Sequence, residues 1–153
     1  ALRYFNIFGA RMDTEGKYTE VMIKWLDRMQ EGQPPLIFGD GSTSMDFVYV
    51  RDVAKANVAA LQSDITDRVY NIGFERETTL KELCYAMLEV TGRTDLEPEY
   101  REERKVNPVP RRLADTTAAK RDLGFEATIT FEEGLKLMID WYNELKAQGK
   151  SVN

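Results

Sequence analysis

The chain has 153 residues, with 21 Lys and Arg against 26 Asp and Glu, a formal net charge of -5, no histidine and one cysteine. That length fits one domain, and seven Phe, seven Tyr and two Trp within a 42% hydrophobic fraction supply enough apolar material for a core. The missing histidine excludes Ser-His-Asp and Cys-His nucleophile systems and imidazole zinc sites, the single cysteine excludes an internal disulfide, and the mild negative charge argues against a nucleic-acid surface. No metal site is expected. With no run of roughly 20 apolar residues and no basic-then-apolar leader, a soluble, cytoplasmic chain without a membrane partner is expected.

Leu2 to Phe8 is an aromatic and β-branched run that reads as one strand entering a loop at Gly9. As an uncapped, buried-looking strand at the very start, it implies sheet neighbours upstream of Ala1. Thr19 is placed to cap a helix from about Glu20 to Glu31, with Val21, Met22, Trp25, Leu26 and Met29 on one stripe and Gly32 as its stop. Leu36 to Phe38 and Asp46 to Val50 are short strands separated by a Gly-rich turn, and Asp52 is placed to cap the next helix. Val69 to Ile72 is a further strand. Thr79 with Glu82 and Thr130 with Glu133 have capping-box spacing and open two helices, the first closed by Gly92. Between Thr94 and Pro110 the chain is charged and proline-bearing, a loop with one strand near Glu97 to Tyr100; Thr116 then caps a short helix that Gly124 ends. Strands alternating with capped helices give an α/β chain.

Two patterns imitate cofactor motifs. Gly39-Asp-Gly-Ser-Thr-Ser44 approaches the GxGxxG fingerprint, but the third glycine is missing and a strand follows, where a phosphate loop needs a helix N-terminus. Tyr142-x-x-x-Lys146 has the spacing of a short-chain dehydrogenase acid/base pair, yet lies on an amphipathic last helix with no cofactor fold before it, where tyrosine and lysine four residues apart are ordinary.

Several segments in order carry a resemblance: Leu2-Arg-Tyr-Phe-Asn-Ile-Phe-Gly9, Leu36-Ile-Phe-Gly-Asp-Gly-Ser42, Asp46-Phe-Val-Tyr-Val-Arg-Asp-Val-Ala54, Val69-Tyr-Asn-Ile-Gly73, Arg112-Leu-Ala-Asp115, Lys120-Arg-Asp-Leu-Gly-Phe125 and Trp141-Tyr142. Together they resemble the C-terminal half of the NAD-dependent nucleotide-sugar epimerases and dehydratases, the extended short-chain dehydrogenase/reductase family. The resemblance implies the last strands of a Rossmann-type parallel sheet plus a small mixed α/β substrate-binding domain. Residues 1–9 and 69–91 would be cofactor-sheet strands and helix, and 10–68 and 92–153 the substrate-binding domain. The Gly-rich NAD loop and the catalytic Tyr-x-x-x-Lys of such enzymes would lie in an N-terminal half absent from this sequence. The parent protein would be a homodimeric isomerase, and this chain alone inactive.

The implied activity is that of a UDP-sugar 4-epimerase, in which NAD takes hydride from sugar C4 and returns it to the other face. A nucleotide-sugar 4,6-dehydratase and a non-catalytic nucleotide-sugar-binding module are the alternatives. By resemblance Phe5 touches the nicotinamide end of NAD, Asn6 donates to the substrate near its diphosphate, and Val21 lies where a helix start meets the nucleotide. Leu36 and Phe38 lie against the base, and Asn71 matches a substrate-phosphate contact. A core stripe, a core strand and a strand end would each account for Val21, for Leu36 and Phe38, and for Asn71 equally well. One of two diphosphate-gripping arginines is replaced by Met45. The other position is filled by Arg104 or Lys105, and Arg11 is placed to compensate for Met45.

Overall fold

The computed structural model describes residues 1–15, 20–103 and 109–149. Its central strand, β4 (Ser44–Tyr49), explains the layering. Phe47 and Tyr49 enter one apolar cluster and Val48 the other, the period-two alternation of a strand covered on both faces. On the Phe47 side pack α1 (Val21–Gln30), α3 (Leu80–Val90) and α5 (Phe131–Ala147), through Trp25, Leu26, Leu83, Met87, Leu135 and Met138. On the Val48 side pack α2 (Val50–Gln62) and α4 (Thr117–Leu123), through Val53, Ala56 and Ala119.

The expected single strand from Leu2 to Phe8 is divided. β1 (Leu2–Tyr4) runs parallel to β5 (Tyr70–Ile72), and β2 (Asn6–Phe8) runs parallel to β4, with Asn6 opposite Phe47. Phe5 is where the chain changes neighbours, its N–H still donating to the Ile72 carbonyl at 2.9 Å. β4 continues into an antiparallel pair with β6 (Glu77–Thr79), a strand the sequence reading lacked, because three polar residues carry no apolar alternation. β3 (Leu36–Phe38) pairs in parallel with β7 (Glu99–Arg101), close to the strand expected in the loop before Pro110.

The helix ends follow local chemistry. Both expected capping boxes form, at Thr79 with Glu82 and at Thr130 with Glu133. α1 closes as a Schellman motif: Gly32 sits at φ 73° and Gln33 N–H donates to the Arg28 carbonyl at 2.8 Å. The expected cap at Thr19 lies outside the described residues; Glu20 is the N-cap and makes no side-chain capping bond. Thr116 is the N-cap of α4 but its hydroxyl does not cap; the Asp115 carboxylate accepts from Thr117 N–H at 2.9 Å instead.

Asp52 corrects the sequence reading. It sits inside the first turn of α2, fully buried, because its carboxylate is claimed elsewhere. It accepts from Thr128 N–H at 3.0 Å and Ile129 N–H at 2.9 Å, and pairs with Lys55 at 2.8 Å. Burial pushes its pKa up, but the Lys55 ammonium and these N–H groups outweigh burial and leave it lowered. The carboxylate thus binds the start of α2 to the chain entering α5.

Candidate functional site

At the carboxyl end of β2 the chain must leave the sheet, and α1 begins beside it. Between them lies a cleft of about 340 Å³, lined on the strands by Phe5, Asn6, Met45 and Phe47 and on the helix by Glu20, Val21 and Met22. Crevices at strand ends in α/β sheets are where ligands bind. The cleft therefore unites Phe5, Asn6 and Val21, three residues expected in a site, two of them consecutive at the strand and the third at the helix start. Met12, Met22 and Phe47 also line it and were not anticipated; Met22 read as a helix-stripe position, Phe47 as part of a strand and Met12 as part of a loop.

The chemistry of the lining is mostly apolar, with two exceptions. Asn6 donates Nδ2–H to the Met45 thioether at 3.3 Å, a weak acceptor, and no partner of its Oδ1 is found among the described residues. The start of α1 has neither a side-chain cap nor an acidic residue in its first turn, unlike α3 and α5. Its leading N–H groups and the positive end of the helix dipole suit an anion. Among the described residues Glu20 is the one titratable side chain at the cleft, and it is exposed.

The other expected residues lie elsewhere. Leu36 and Phe38 share the half-buried face of β3, with Ile37 on the core side, and neither lines the cleft. The Leu36 carbonyl accepts from Trp25 Nε1–H at 2.8 Å, which ties β3 to α1. Asn71 donates to the Asp115 carbonyl at 3.2 Å, tethering β5 to the start of α4. Arg11 adopts φ 71° and lines a different cleft. Arg104 and Lys105 lie outside the described residues.

Both imitations of cofactor motifs have structural duties. Asp40 accepts from Ser42 N–H at 2.8 Å, closing an Asx turn that delivers the chain to β4. The Tyr142 hydroxyl donates to Asp27 in a short bond, and Lys146 pairs with the same carboxylate at 3.0 Å. Burial first, and Asp27 second, push the Tyr142 phenol up to about 12, away from the range an acid/base tyrosine needs. Burial likewise pushes the Cys84 thiol up to about 12, which leaves it unreactive.

Next to the cleft, on the opposite side of β4, the fully buried Asp46 accepts from Phe74 N–H at 2.7 Å, Glu75 N–H at 2.9 Å and Ala114 N–H at 3.0 Å. Directly across the β4–β6 pair from Asp46, Glu77 accepts from Arg111 Nε at 2.8 Å and Nη2 at 2.7 Å, and from Ser44 Oγ at 2.9 Å. The Arg111 fork, then Ser44, hold the Glu77 carboxyl down from 4.5 to about 2. The stabilisation from this lowered pKa is present above pH 4.5 and is lost as pH falls through about 2. Arg111→Ala should return the Glu77 carboxyl toward 4.5 in an NMR titration; an unchanged midpoint would show that Arg111 is not the cause.

Residues 1–73 match the NAD dependent epimerase/dehydratase family. The chain is 38% identical over 140 residues to a protein of Methanocaldococcus jannaschii provisionally named UDP-glucose 4-epimerase, covering 92% of this chain and 44% of that one. It is 31% identical over 150 residues to a UDP-N-acetyl-alpha-D-glucosaminuronate decarboxylase of Bacillus cytotoxicus, covering 95% and 46%. The fold superposes on the crystal structure of UDP-glucose 4-epimerase with UDP-glucose from Thermotoga maritima with a TM-score of 0.87 at 39% identity, covering 95% of this chain and 46% of that one. The chain thus spans less than half the length of the relatives it matches. By these matches the chain is similar to the NAD-dependent epimerase/dehydratase family, most directly through residues 1–73, and shares a Rossmann-type α/β fold. Among the described residues, no helix is long and apolar enough to cross a membrane.

Proposed function

We propose that this chain is the nucleotide-sugar-binding portion of an NAD-dependent sugar-nucleotide epimerase, acting on a UDP-sugar at C4. The observation that carries the reading is the convergence of Phe5, Asn6 and Val21 on one cleft beside the uncapped start of α1. In this reading the α1 amides receive the diphosphate, Asn6 holds the adjoining part of the ligand, and the outer face of β3 offers Leu36 and Phe38 to the uracil ring. Phe5, half-buried at the cleft, fits an aromatic neighbour for the nicotinamide ring. NAD would supply the hydride acceptor, held mainly by residues beyond this sequence, and the chain by itself would bind without turnover.

Calorimetry with UDP, UDP-glucose and a dTDP-sugar tests the reading. Weak UDP binding is expected, Phe38→Ala should reduce it, and added salt should weaken it if Arg104 or Lys105 meets the diphosphate. No heat from any of the three ligands, with a chain shown to be folded, would overturn the proposal. Salt-independent binding would remove Arg104 and Lys105 from the site.

A further inference from the structure

A second cleft, of about 640 Å³, opens between the loop after β2, the start of α2 and the outer half of α5. It shares no lining residue with the Phe5, Asn6 and Val21 cleft, and its volume is that of a small-molecule site. One wall carries Arg11 and Arg51. Among the described residues neither arginine has a carboxylate partner; Arg51 lies 6.0 Å from the centroid of the buried Tyr49 ring. The opposite wall carries the half-buried Trp141 between Asp140 and Glu144. Asp140 is paired with Lys136 at 2.8 Å, whereas Glu144 has no cationic partner among the described residues.

The two walls demand different things of one ligand. Planar guanidinium forks match phosphate oxygens, which a neutral ligand would leave unused. A carboxylate accepts from hydroxyls, and an indole face covers the C–H face of a sugar ring, which a bare anion would leave unused. We propose that this cleft is a second, separate site for a phosphorylated hexose. Its phosphate lies on Arg11 and Arg51, and its ring lies against Trp141 with hydroxyls donating to Glu144. The proposal does not depend on nucleotide binding at the first cleft.

The two tryptophans report on it by NMR, since Trp25 is buried with its indole N–H on the Leu36 carbonyl. Glucose 1-phosphate titrated into the full chain should move the Trp141 indole signal and leave the Trp25 signal in place. Arg11→Gln and Arg51→Gln should each weaken binding about tenfold, and Glu144→Gln by less. An unmoved Trp25 signal in each variant establishes that the fold is retained. A still Trp141 signal at millimolar ligand, or unchanged affinity in the arginine double variant, overturns the proposal. Equal binding of inorganic phosphate would overturn its sugar half and leave only an anion site.

Discussion

Asp46→Ala should destabilise the chain by about 3–5 kcal/mol, a large share of a typical domain's total. Three backbone N–H groups, from Phe74, Glu75 and Ala114, converge on this one buried carboxylate. Removing it leaves them without an acceptor, at roughly 1–3 kcal/mol each before water enters the space. The packing there leaves little room to repair the loss. A Cβ on Gly73 would lie 2.4 Å from Ala114 Cβ and 2.8 Å from Asp46 Oδ2. Urea denaturation measures the effect, and a loss below about 1 kcal/mol would mean that the two loops are held by other contacts.

The same residue gives a pH signature. Burial raises the Asp46 carboxyl above its ordinary 3.8, and the three N–H bonds oppose that shift without reversing it. The stability linked to a raised carboxyl is fully present below pH 3.8 and is lost as pH rises through the folded value. The gap between wild type and Asp46→Ala should therefore be wider below pH 3.8 than at neutrality. A gap that narrows on acidification would reverse the assigned direction.

Phe8→Ala should cost about 3–5 kcal/mol, at the upper end for a core truncation. The ring is 2% exposed and meets Phe47 and Tyr49 edge-on, with centroids 6.1 and 5.5 Å away, and Phe131 at 5.8 Å. Gly134 is the reason α5 comes so close. A Cβ there would lie 2.7 Å from Phe8 Cζ and 2.8 Å from Tyr49 Cδ2. Helix propensity favours alanine over glycine by about 1 kcal/mol, but overpacking against rings that cannot retreat costs about 1–3 kcal/mol. Gly134→Ala alone should thus destabilise. In a Phe8→Ala background the Phe8 collision disappears, so the two losses should sum to more than the double variant's loss. Strict additivity in urea melts would show that α5 can shift outward.

The parts of this fold that were legible in the sequence are those decided within a few residues. Thr79 with Glu82 and Thr130 with Glu133 satisfy one another's backbone groups, so their helices start where expected. Asp52 was misplaced because a carboxylate just before an apolar helix looks like a cap, whereas its partners Thr128 and Ile129 enter from far along the chain. β6 was invisible because Glu77, Thr78 and Thr79 become a strand only by pairing with Ser44 to Asp46. In the cleft, the motif order brought Phe5, Asn6 and Val21 forward, but nothing local distinguishes Met12 or Met22 from core methionines. Arg11, whose left-handed backbone no local pattern announces, lines another cleft.

The change of neighbours at Phe5 also orders events in time. Among the described residues, the pairing of 6–8 forms only once residues 47–49 have left the ribosome, and that of 2–4 only once residues 70–72 have followed. Until then these two pairings wait, and segments that wait for distant partners are where nascent chains are captured by one another or by chaperones. Translation pauses placed before residue 70 would lengthen that wait, and those placed after residue 72 would not.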